Sequence, residues 1–470
     1  MGGLTTALLA ATSGLRAAQT GIDLVSRNVA NATTPGYTRK TVPQTPLIVG
    51  GEGQGVQIGA IQRQVNERLQ IEVRLGISET ATLEVEDDFL SRFELAFGKP
   101  GDNTTVSNAI HALANAFRQL GTNPDVITTQ TTVVSKAETL ANNLNTLADR
   151  VQGLRTEAED QIKTSVDSIN AKLEAIDDLN TQIAQATSLG QATPDLEDRR
   201  DQFLDELAKE IDISYFKRSN GEIWIQTKNG VALLDVAVHT VSFNNTPLIT
   251  PMQSYPLGLD GIVVDGQDIT PSITGGRLRG LFDLRDTILP QAQLQLDTLA
   301  ATLTTTLNGQ DMELFNDNGA TFNVASTTGY ANRITVNQAV KDNPWRTRDG
   351  TVVAVPNTNT GDATIPLAIV DMFEGLQTFP GTTGLGTSFT FEGFGAAFVA
   401  FQGTQRANIN DAMKNKSVLT ESLQTRLSND SGVNVDRELA LMIELQNSYG
   451  ANARMVQAIK EMFDQLLSIV

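Results

Sequence analysis

The sequence contains no cysteine, two histidines and few aromatic residues, and each shortage excludes a class of chemistry. Without cysteine there are no disulfide bonds and no thiolate metal sites. His111 and His239 are the only histidines, so a multi-histidine metal site is excluded and a Ser-His-Asp triad is not expected. Aromatic residues make up 5% of the chain, which suits long helices and polar sheets better than an aromatic-rich enzyme core. We therefore expect no catalytic residues, no metal and no cofactor.

Positive charge is also scarce, because 35 lysines and arginines face 54 aspartates and glutamates, for a net charge of −19 at pH 7. Nucleic acid and anionic membrane surfaces would be repelled, so neither is an expected partner. No stretch of about 20 apolar residues is present, so we expect no membrane insertion. The N-terminus has no basic segment before Arg16, and we therefore expect no cleaved signal peptide.

The first 30 residues carry apolar side chains at alternating steps of three and four, a pattern typical of a helix that packs against a partner helix. Gly14 and Gly21 lie in this helix, and each costs up to about 1 kcal/mol of helix stability. Such a helix is marginal alone in water, so the pattern predicts a partner. The predicted seam consists of Leu4, Leu8, Ala11, Leu15, Ala18, Ile22, Val25 and Val29.

The last 40 residues repeat the heptad pattern, with Gly450 and the polar Asn452 as exceptions. A polar residue in a seam can fix helix register at a cost in stability. Because both ends of the chain carry heptads, the simplest prediction is that the two terminal helices pair with each other and form an assembly seam. The C-terminal seam positions are Met442, Leu445, Tyr449, Val456, Ile459, Phe463, Leu466 and Val470.

The segment NVANATTPGY (28–37) follows the first helix and is interpreted as a helix stop and turn. Asparagine tolerates the left-handed conformation of a helix C-cap, which Asn28 and Asn31 are expected to supply. Proline cannot continue a helix, and Pro35-Gly36 fits the central positions of a type II turn. An extended edge segment should follow. The predicted motif comprises Asn28, Asn31, Thr34, Pro35, Gly36 and Tyr37.

The middle of the chain contains a still longer apolar seam, which predicts one nearly continuous helix over residues 133–187. A helix of this length, roughly 80 Å at 1.5 Å per residue, suits a rod better than a compact enzyme. Further helices are predicted over residues 66–97, 105–120, 196–211, 283–308 and 396–428.

Strand-rich blocks lie between these helices. Asn220-Gly221 and Asn229-Gly230 separate alternating runs, a strong signal for hairpins. Residues 311–395 are rich in Gly, Thr and Asn and are interpreted as a second β block. The predicted fold class is α+β, a discontinuous multi-domain rod with paired N- and C-terminal coiled-coil helices, a long-helix bundle and β-rich outer insertions. The predicted domains are a terminal coiled-coil domain (1–40 and 431–470), a helical bundle (41–211, 277–310 and 396–430) and outer β domains (212–276 and 311–395).

Two acidic clusters could contain a carboxylate pair for general acid–base chemistry. They are EVEDDF (84–89) and LEDRRDQFLDE (196–206). Helix faces exposed to water, with ion pairs one turn apart, are the interpretation that we favour for both.

The segment SRNVANATTPGYTRK (26–40) resembles the N-terminal signature of the axial proteins of the bacterial flagellum, namely its rod, hook and hook-associated proteins. The sequence GLRAAQTGIDLVSRNVAN extends the resemblance upstream. Taken alone, the first motif leaves hook and rod proteins open. Three further stretches narrow the resemblance to the hook-associated proteins of the hook–filament junction: LEDRRDQFLDELAKEIDIS (196–214), GGRLRGLFDLRDTILPQAQLQLDTLAATLTTTLN (275–308) and the final 40 residues (431–470).

The resemblance implies a structural, non-enzymatic protein whose terminal helices pair and pack axially in a tube. It implies self-association in a helical or tubular array, with the hook protein and the second hook–filament junction protein as neighbours. A cytoplasmic export chaperone is expected at the C-terminal helix. The implied location is extracellular, in the bacterial flagellum, after export without a cleaved signal peptide.

Three alternatives remain at this point. The chain could be another flagellar axial protein, a hook or rod subunit. It could be a flagellum-associated enzyme, such as a muramidase that uses a Glu/Asp pair. It could be a surface adhesin that binds a ligand through residues 311–395.

Overall fold

The computed structural model describes residues 2–49, 52–99 and 105–469. Long helices dominate it, as the sequence predicts. In chain order the helices are α1 (Gly2–Ala30), α2 (Glu67–Phe97), α3 (Val106–Thr122), α4 (Ile127–Ser188), α5 (Pro194–Glu210), α6 (Arg277–Asp283), α7 (Leu289–Asn308), α8 (Tyr330–Arg333), α9 (Gln338–Asp342), α10 (Arg346–Asp349), α11 (Thr364–Glu374), α12 (Phe391–Ser431) and α13 (Val435–Ile469).

The strands are short and form small antiparallel sheets of two or three strands. They are β1 (Lys40–Thr41), β2 (Gln44–Val49), β3 (Glu52–Ile58), β4 (Gln62–Arg63), β5 (Ile213–Lys217), β6 (Ile223–Thr227), β7 (Ala232–Leu234), β8 (Val241–Ser242), β9 (Val263–Val264), β10 (Gln267–Asp268), β11 (Phe315–Asp317), β12 (Ile334–Val336), β13 (Gln377–Thr378) and β14 (Ser388–Phe389).

Helix α4 is the spine of the molecule and runs without a break for 62 residues. It confirms the continuous helix predicted over 133–187. Seam residues such as Leu144, Ile162 and Ile176 are fully buried, and α3, α5 and α7 pack along the helix. The apolar period of the sequence therefore identifies the face of α4 that is buried.

The helix predicted to begin at residue 283 begins six residues earlier, at Arg277, and contains a π turn over Leu284–Ile288. Pro290 follows in the first turn of α7. Proline lacks an N–H group, so it cannot donate to the carbonyl four residues earlier as a regular α-helix requires. A π turn, in which the hydrogen bonds span five residues, accommodates this missing donor.

The strand-rich block over 212–276 is present as predicted. Asn220-Gly221 connects β5 with β6 and Asn229-Gly230 connects β6 with β7, and both glycines adopt the positive φ that such turns require. Strands β8, β9 and β10 form a second sheet. Both sheets bury apolar residues against the core around α4.

The strand-rich interpretation of residues 311–395 is wrong. This segment contains helices α8, α9, α10 and α11, and its four strands have only two or three residues each. Buried Ile369, Val370 and Phe373 recur at helical spacing in α11, which packs on α3, whereas α8 and β12 pack on α4. Gly, Thr and Asn mark turns, and apolar runs this short do not distinguish strand from helix until their packing partner is known.

The two ends of the chain form one unit. Helix α13 packs along α1, and the antiparallel strands β1–β4 form the β-arm (residues 40–49 and 52–63), which packs on a second side of α1. We call these elements the terminal module and residues 66–431 the body. The packing of the arm on α1 leads us to propose a domain division near residue 65, instead of residue 40.

Candidate assembly site at the paired terminal helices

Helices α1 and α13 are antiparallel, and three close pairs repeat every seven residues along both of them. Gly14 faces Asn452, Gly21 faces Leu445, and Asn28 bonds with Glu438. Steps of +7 on α1 are matched by steps of −7 on α13. The heptad period of the sequence is thus the period of the observed contact.

The two glycines of α1 explain why the helices approach closely. A methyl group on Gly21 would lie 2.9 Å from Leu445 Cδ1, and one on Gly14 would lie 2.8 Å from Asn452 Nδ2. The loss of helix propensity at these positions is therefore offset by close packing with α13.

The buried face of α1 is rotated from the predicted seam. Of the predicted positions, Val25 is buried with Ala11 and Ala18, whereas Leu4, Leu8, Leu15, Ile22 and Val29 are only half-buried. Ala17 and Leu24 are buried although the seam omits them. They are seven residues apart, and that spacing is the signal that could have identified them. The rotation arises because α1 packs against the β-arm as well as α13.

On α13 the predicted seam is less completely covered than on α1. Ile459 is buried, and Met442, Leu445, Val456 and Phe463 are half-buried. Tyr449 and Leu466 are exposed at 43% and 47%. Val470 lies outside the described residues. Outside the seam, the large apolar side chains left exposed on the described part of this helix are Val435, Leu439, Ile443, Met455 and Met462.

The β-arm covers a second side of α1. The backbone N–H of Val56 donates to Ser13 Oγ at 3.0 Å. Gly55 lies so close that a methyl group there would be 2.1 Å from Ser13 Oγ and 3.1 Å from Ala10 Cα. Small residues on both elements permit this contact.

Asn28 is not a helix cap, which corrects the prediction from sequence. Neither Asn28 nor Asn31 is left-handed, and Asn28 is buried within α1. Its Nδ2 donates to Lys40 O at 2.9 Å and Glu438 Oε2 at 3.0 Å. Its Oδ1 accepts from Lys40 N at 3.2 Å and the Tyr37 hydroxyl at 3.0 Å. One fully bonded amide thus joins α1, the turn, the β-arm and α13.

Glu438 completes this buried junction from the C-terminal helix. Its side chain is 1% exposed, and its Oε1 accepts from Arg39 Nε at 2.6 Å. The backbone N–H of Arg39 donates to Ser431 O at 2.8 Å. A buried carboxylate requires such partners, so the start of α13 is held at one register against α1.

The predicted turn is present at residues 34–37. Helix α1 ends at Ala30, Tyr37 N donates to Thr34 O at 3.2 Å, and Gly36 has a φ of 76°. The Pro35 carbonyl accepts from Gln202 Nε2 at 2.7 Å. The turn therefore both reverses the chain and contacts α5 of the body.

Glu197, Asp198 and Asp201 of the acidic cluster on α5 are largely buried and paired, so the interpretation of this face as exposed to water is wrong for them, whereas Glu206 is exposed. Asp198 Oδ2 lies 3.1 Å from Lys40 Nζ, and Asp201 Oδ2 lies 2.7 Å from Arg63 Nη1. Burial opposes ionisation of Asp201, but Arg74 and Arg63 outweigh it and hold the pKa of this carboxyl below its usual value. These partners are more than 100 residues away in sequence, where helical periodicity carries no signal.

Glu86, in the other acidic cluster, is also buried, at the contact between α2 and α6. Burial raises its pKa to about 7; the Asp283 carboxylate adds to this increase, and Arg279 opposes it. Arg279 Nε donates to Asp283 Oδ2 at 2.7 Å, so these two groups are paired.

We expect Glu86→Gln to remove a pH dependence of stability. The pKa of Glu86 in the folded chain exceeds the ordinary value of 4.5. The protonated carboxyl therefore contributes fully to the free energy of unfolding below pH 4.5, and this contribution is lost as the pH rises to about 7. Between pH 4.5 and pH 8, the free energy of unfolding of the variant should rise by on the order of 3 kcal/mol relative to that of the parent. Urea unfolding at both pH values measures this, with exposed Glu84→Gln as the control. An equal response of the two variants to pH would contradict the assignment.

The two histidines do not form a catalytic site. His111 Nδ1 is exposed beside Glu392 at 2.9 Å. His239 contacts Asp235 through Nε2 and Asp265 through Nδ1; burial lowers its pKa, but these hydrogen bonds outweigh burial and raise it. Within residues 2–49, 52–99 and 105–469, no three His, Asp or Glu side chains gather as a metal site. No helix in the same residues is long and apolar enough to cross a membrane.

Three parts of the chain match known protein families. Residues 90–322 match the helical domain of flagellar hook-associated protein FlgK. Residues 8–38 match the flagella basal body rod protein family, and residues 424–469 match the C-terminal region of the flagellar basal body rod FlgEFG proteins. The match at the N-terminus falls on α1 with its turn, and the match at the C-terminus falls on the end of α12 and on α13.

Individual relatives align over nearly the whole chain. Flagellar hook-associated protein 1 of Escherichia coli strain K12 is 24% identical over 98% of this chain and 98% of its own. The protein of the same name from Bacillus subtilis strain 168 is 23% identical over 97% and 96%. The flagellar hook junction protein FlgK of Burkholderia pseudomallei has a similar fold, with a TM-score of 0.61 at 15% identity, covering 76% of this chain and 99% of that one. The chain belongs to the family of flagellar hook-associated protein 1.

Proposed function

We propose that this chain forms the junction between the flagellar hook and filament, and that its paired terminal helices are the packing element. Members of this family are structural proteins, and the chain is a structural flagellar protein, not an enzyme. The observation that carries the proposed mode of packing is the apolar surface that the helix pair leaves uncovered.

That surface lies on both helices. Ile443 on α13 is 60% exposed, and Met455 and Leu9 are each about half exposed. Leu15 and Ile22 line the half-buried side of α1. Large apolar side chains left exposed in this number favour a site of protein association, and a single helix pair does not cover them.

We propose that neighbouring copies cover this surface in a helical or tubular array. Such an array needs two different surfaces on each subunit, repeated around and along the axis. The antiparallel pair offers two, the side of α1 that carries Leu8, Leu15 and Ile22 and the side of α13 that carries Ile443. In this proposal the predicted seam acts between subunits as well as within one.

The same proposal places the chain between two other flagellar components. Relatives are named for association with the hook, and we extend this to hook protein on one side and the second junction protein on the other. We further propose export to the cell exterior without cleavage of a signal peptide. A cytoplasmic chaperone that holds exposed apolar residues of α13 before export fits this route.

Ile443→Asp tests the packing element. Because Ile443 is exposed in the single chain, we expect the monomer to keep its helix content and thermal stability. Burial of an unpaired carboxylate between subunits costs several kcal/mol, so docking onto isolated hooks should weaken at least about 100-fold. Electron microscopy of hooks incubated with the variant, with circular dichroism of the monomer, measures both effects.

Val418→Asp is the matched control, since Val418 on α12 of the body is 68% exposed. It should dock as the parent does. Normal junctions formed by the Ile443 variant would show that this side of α13 is not an interface between subunits.

A further inference from the structure

The terminal module and the body are joined almost entirely through polar and ionic contacts. Within the described part of the chain, α1 and α13 pack on each other and α1 on the β-arm, and no body helix packs along either. The chain crosses between the two units near residues 64–66 and 431–434. The angle between them is therefore set by the contacts at this crossing.

Those contacts gather on one face of α5. Asp198 accepts from Thr38 N at 3.2 Å and Thr38 Oγ1 at 2.6 Å, and it pairs with Lys40. Arg63 reaches Asp198 at 3.1 Å and Glu197 at 3.0 Å. Every charged side chain in this set is at least 88% buried.

The ionic contact is linked to the junction inside the terminal module. Lys40 bonds through its backbone with Asn28 and through its side chain with Asp198. Its ammonium also lies 3.7 Å from the ring centre of Tyr37, whose hydroxyl bonds with Asn28. Lys40 thus links the acidic face of α5 directly to Asn28 at the end of α1, so a displacement of Lys40 from α5 would also alter its bonds with Asn28.

Apolar packing does not fill the crossing. A cavity of about 380 Å³ lies beneath the Pro-Gly turn, lined by Pro35, Gln70, Leu427 and Ser431 among others. The Ser431 hydroxyl is buried there without a hydrogen-bond partner. Few apolar contacts would be lost if the terminal module moved away from the body.

From this geometry we propose that the contact of Thr38, Lys40 and Arg63 with the acidic face of α5 is a clasp that sets the direction of the terminal module on the body. With the clasp closed, the helix pair has one orientation. With the clasp open, the module pivots about the two crossings while both units stay folded. The clasp acts within one chain, so it holds whether or not the terminal helices assemble as proposed above.

Distance measurement in the monomer tests the clasp. The chain has no cysteine, so Ala458→Cys on α13 and Ser422→Cys on α12 allow two spin labels to be attached at exposed sites. Electron–electron resonance on the otherwise native chain should give one narrow distance distribution. Addition of Lys40→Gln and Arg63→Gln should cause loss of that single maximum while circular dichroism and thermal unfolding of the body stay unchanged.

Two further variants identify the cause. Arg68→Gln, which removes an arginine on α2 whose side chain is 91% exposed, should keep the narrow distribution, whereas Asp198→Asn, which removes the carboxylate shared by Lys40 and Arg63, should broaden it. A broad distribution in the native chain, a narrow one in the double variant, or an unchanged distribution in Asp198→Asn would each overturn the proposal. Loss of the helix signal in the double variant would overturn it too, because the contact would then serve folding of the body.

Discussion

Replacing Glu438 by alanine is expected to release α13 from its register on α1. The substitution removes one of the two acceptors of Asn28 Nδ2 and the carboxylate that pairs with Arg39 Nε, and Lys40 O and Gln64 Oε1 remain as their other acceptors. Removal of one partner from a buried charged pair typically costs about 3–5 kcal/mol. Amide hydrogen exchange in α1 and the first half of α13 should therefore accelerate about 100-fold or more.

Glu444→Ala is the control for this experiment, because Glu444 is exposed on the same helix. It removes the same charge and should change exchange in α1 little. If both variants exchange alike, the charge of α13 matters and the buried junction does not. Exchange in α4 should be unaffected in either case, since the body has its own core.

Gly21→Leu is expected to separate the two terminal helices. Even a methyl group at this position would contact Leu445 Cδ1 at 2.9 Å and Cδ2 at 3.0 Å, so a leucine side chain has no space. Overpacking typically costs about 1–3 kcal/mol, and leucine recovers less than about 1 kcal/mol through its better helix propensity. We expect loss of the α1–α13 contact, measured by cross-linking between the helices or by hydrogen exchange.

Gly450→Leu makes the same change where the structure has room. A methyl group at Gly450 meets no atom within 4 Å, so this variant should stabilise α13 by up to about 1 kcal/mol. The opposite signs of the two variants separate packing from helix propensity. Equal effects would mean that close approach at Gly21 is unimportant for pairing.

Much of the local structure was accessible from sequence because it has a local cause. The step of three and four in apolar residues predicts α1, α4 and α13, since a helix places such residues on one face. The Asn-Gly pairs predict the hairpins of 212–234, and Pro35-Gly36 predicts the turn, through backbone geometry that few other residues adopt. The resemblance to flagellar axial proteins rests on these same terminal segments.

Other features depended on partners that are distant in the chain. Residues 311–395 became helical turns because their apolar residues pack on α3 and α4. The acidic residues of α5 became buried because Lys40, Arg63 and Arg74 approach them from another element. Composition and periodicity describe a segment in isolation, and neither contains the identity of its neighbour.

The sequence by itself determined that this is a long-helical, cysteine-free, acidic protein whose two ends form helices with a heptad period. Only the tertiary structure decided which face of α1 is buried, and why Gly14, Gly21 and Asn28 stand at seven-residue steps. The physical reason is that a heptad specifies how often a helix meets a partner, whereas close approach and buried hydrogen bonds depend on the partner's side chains. For Asn28 that partner is Glu438, which is 410 residues away along the chain.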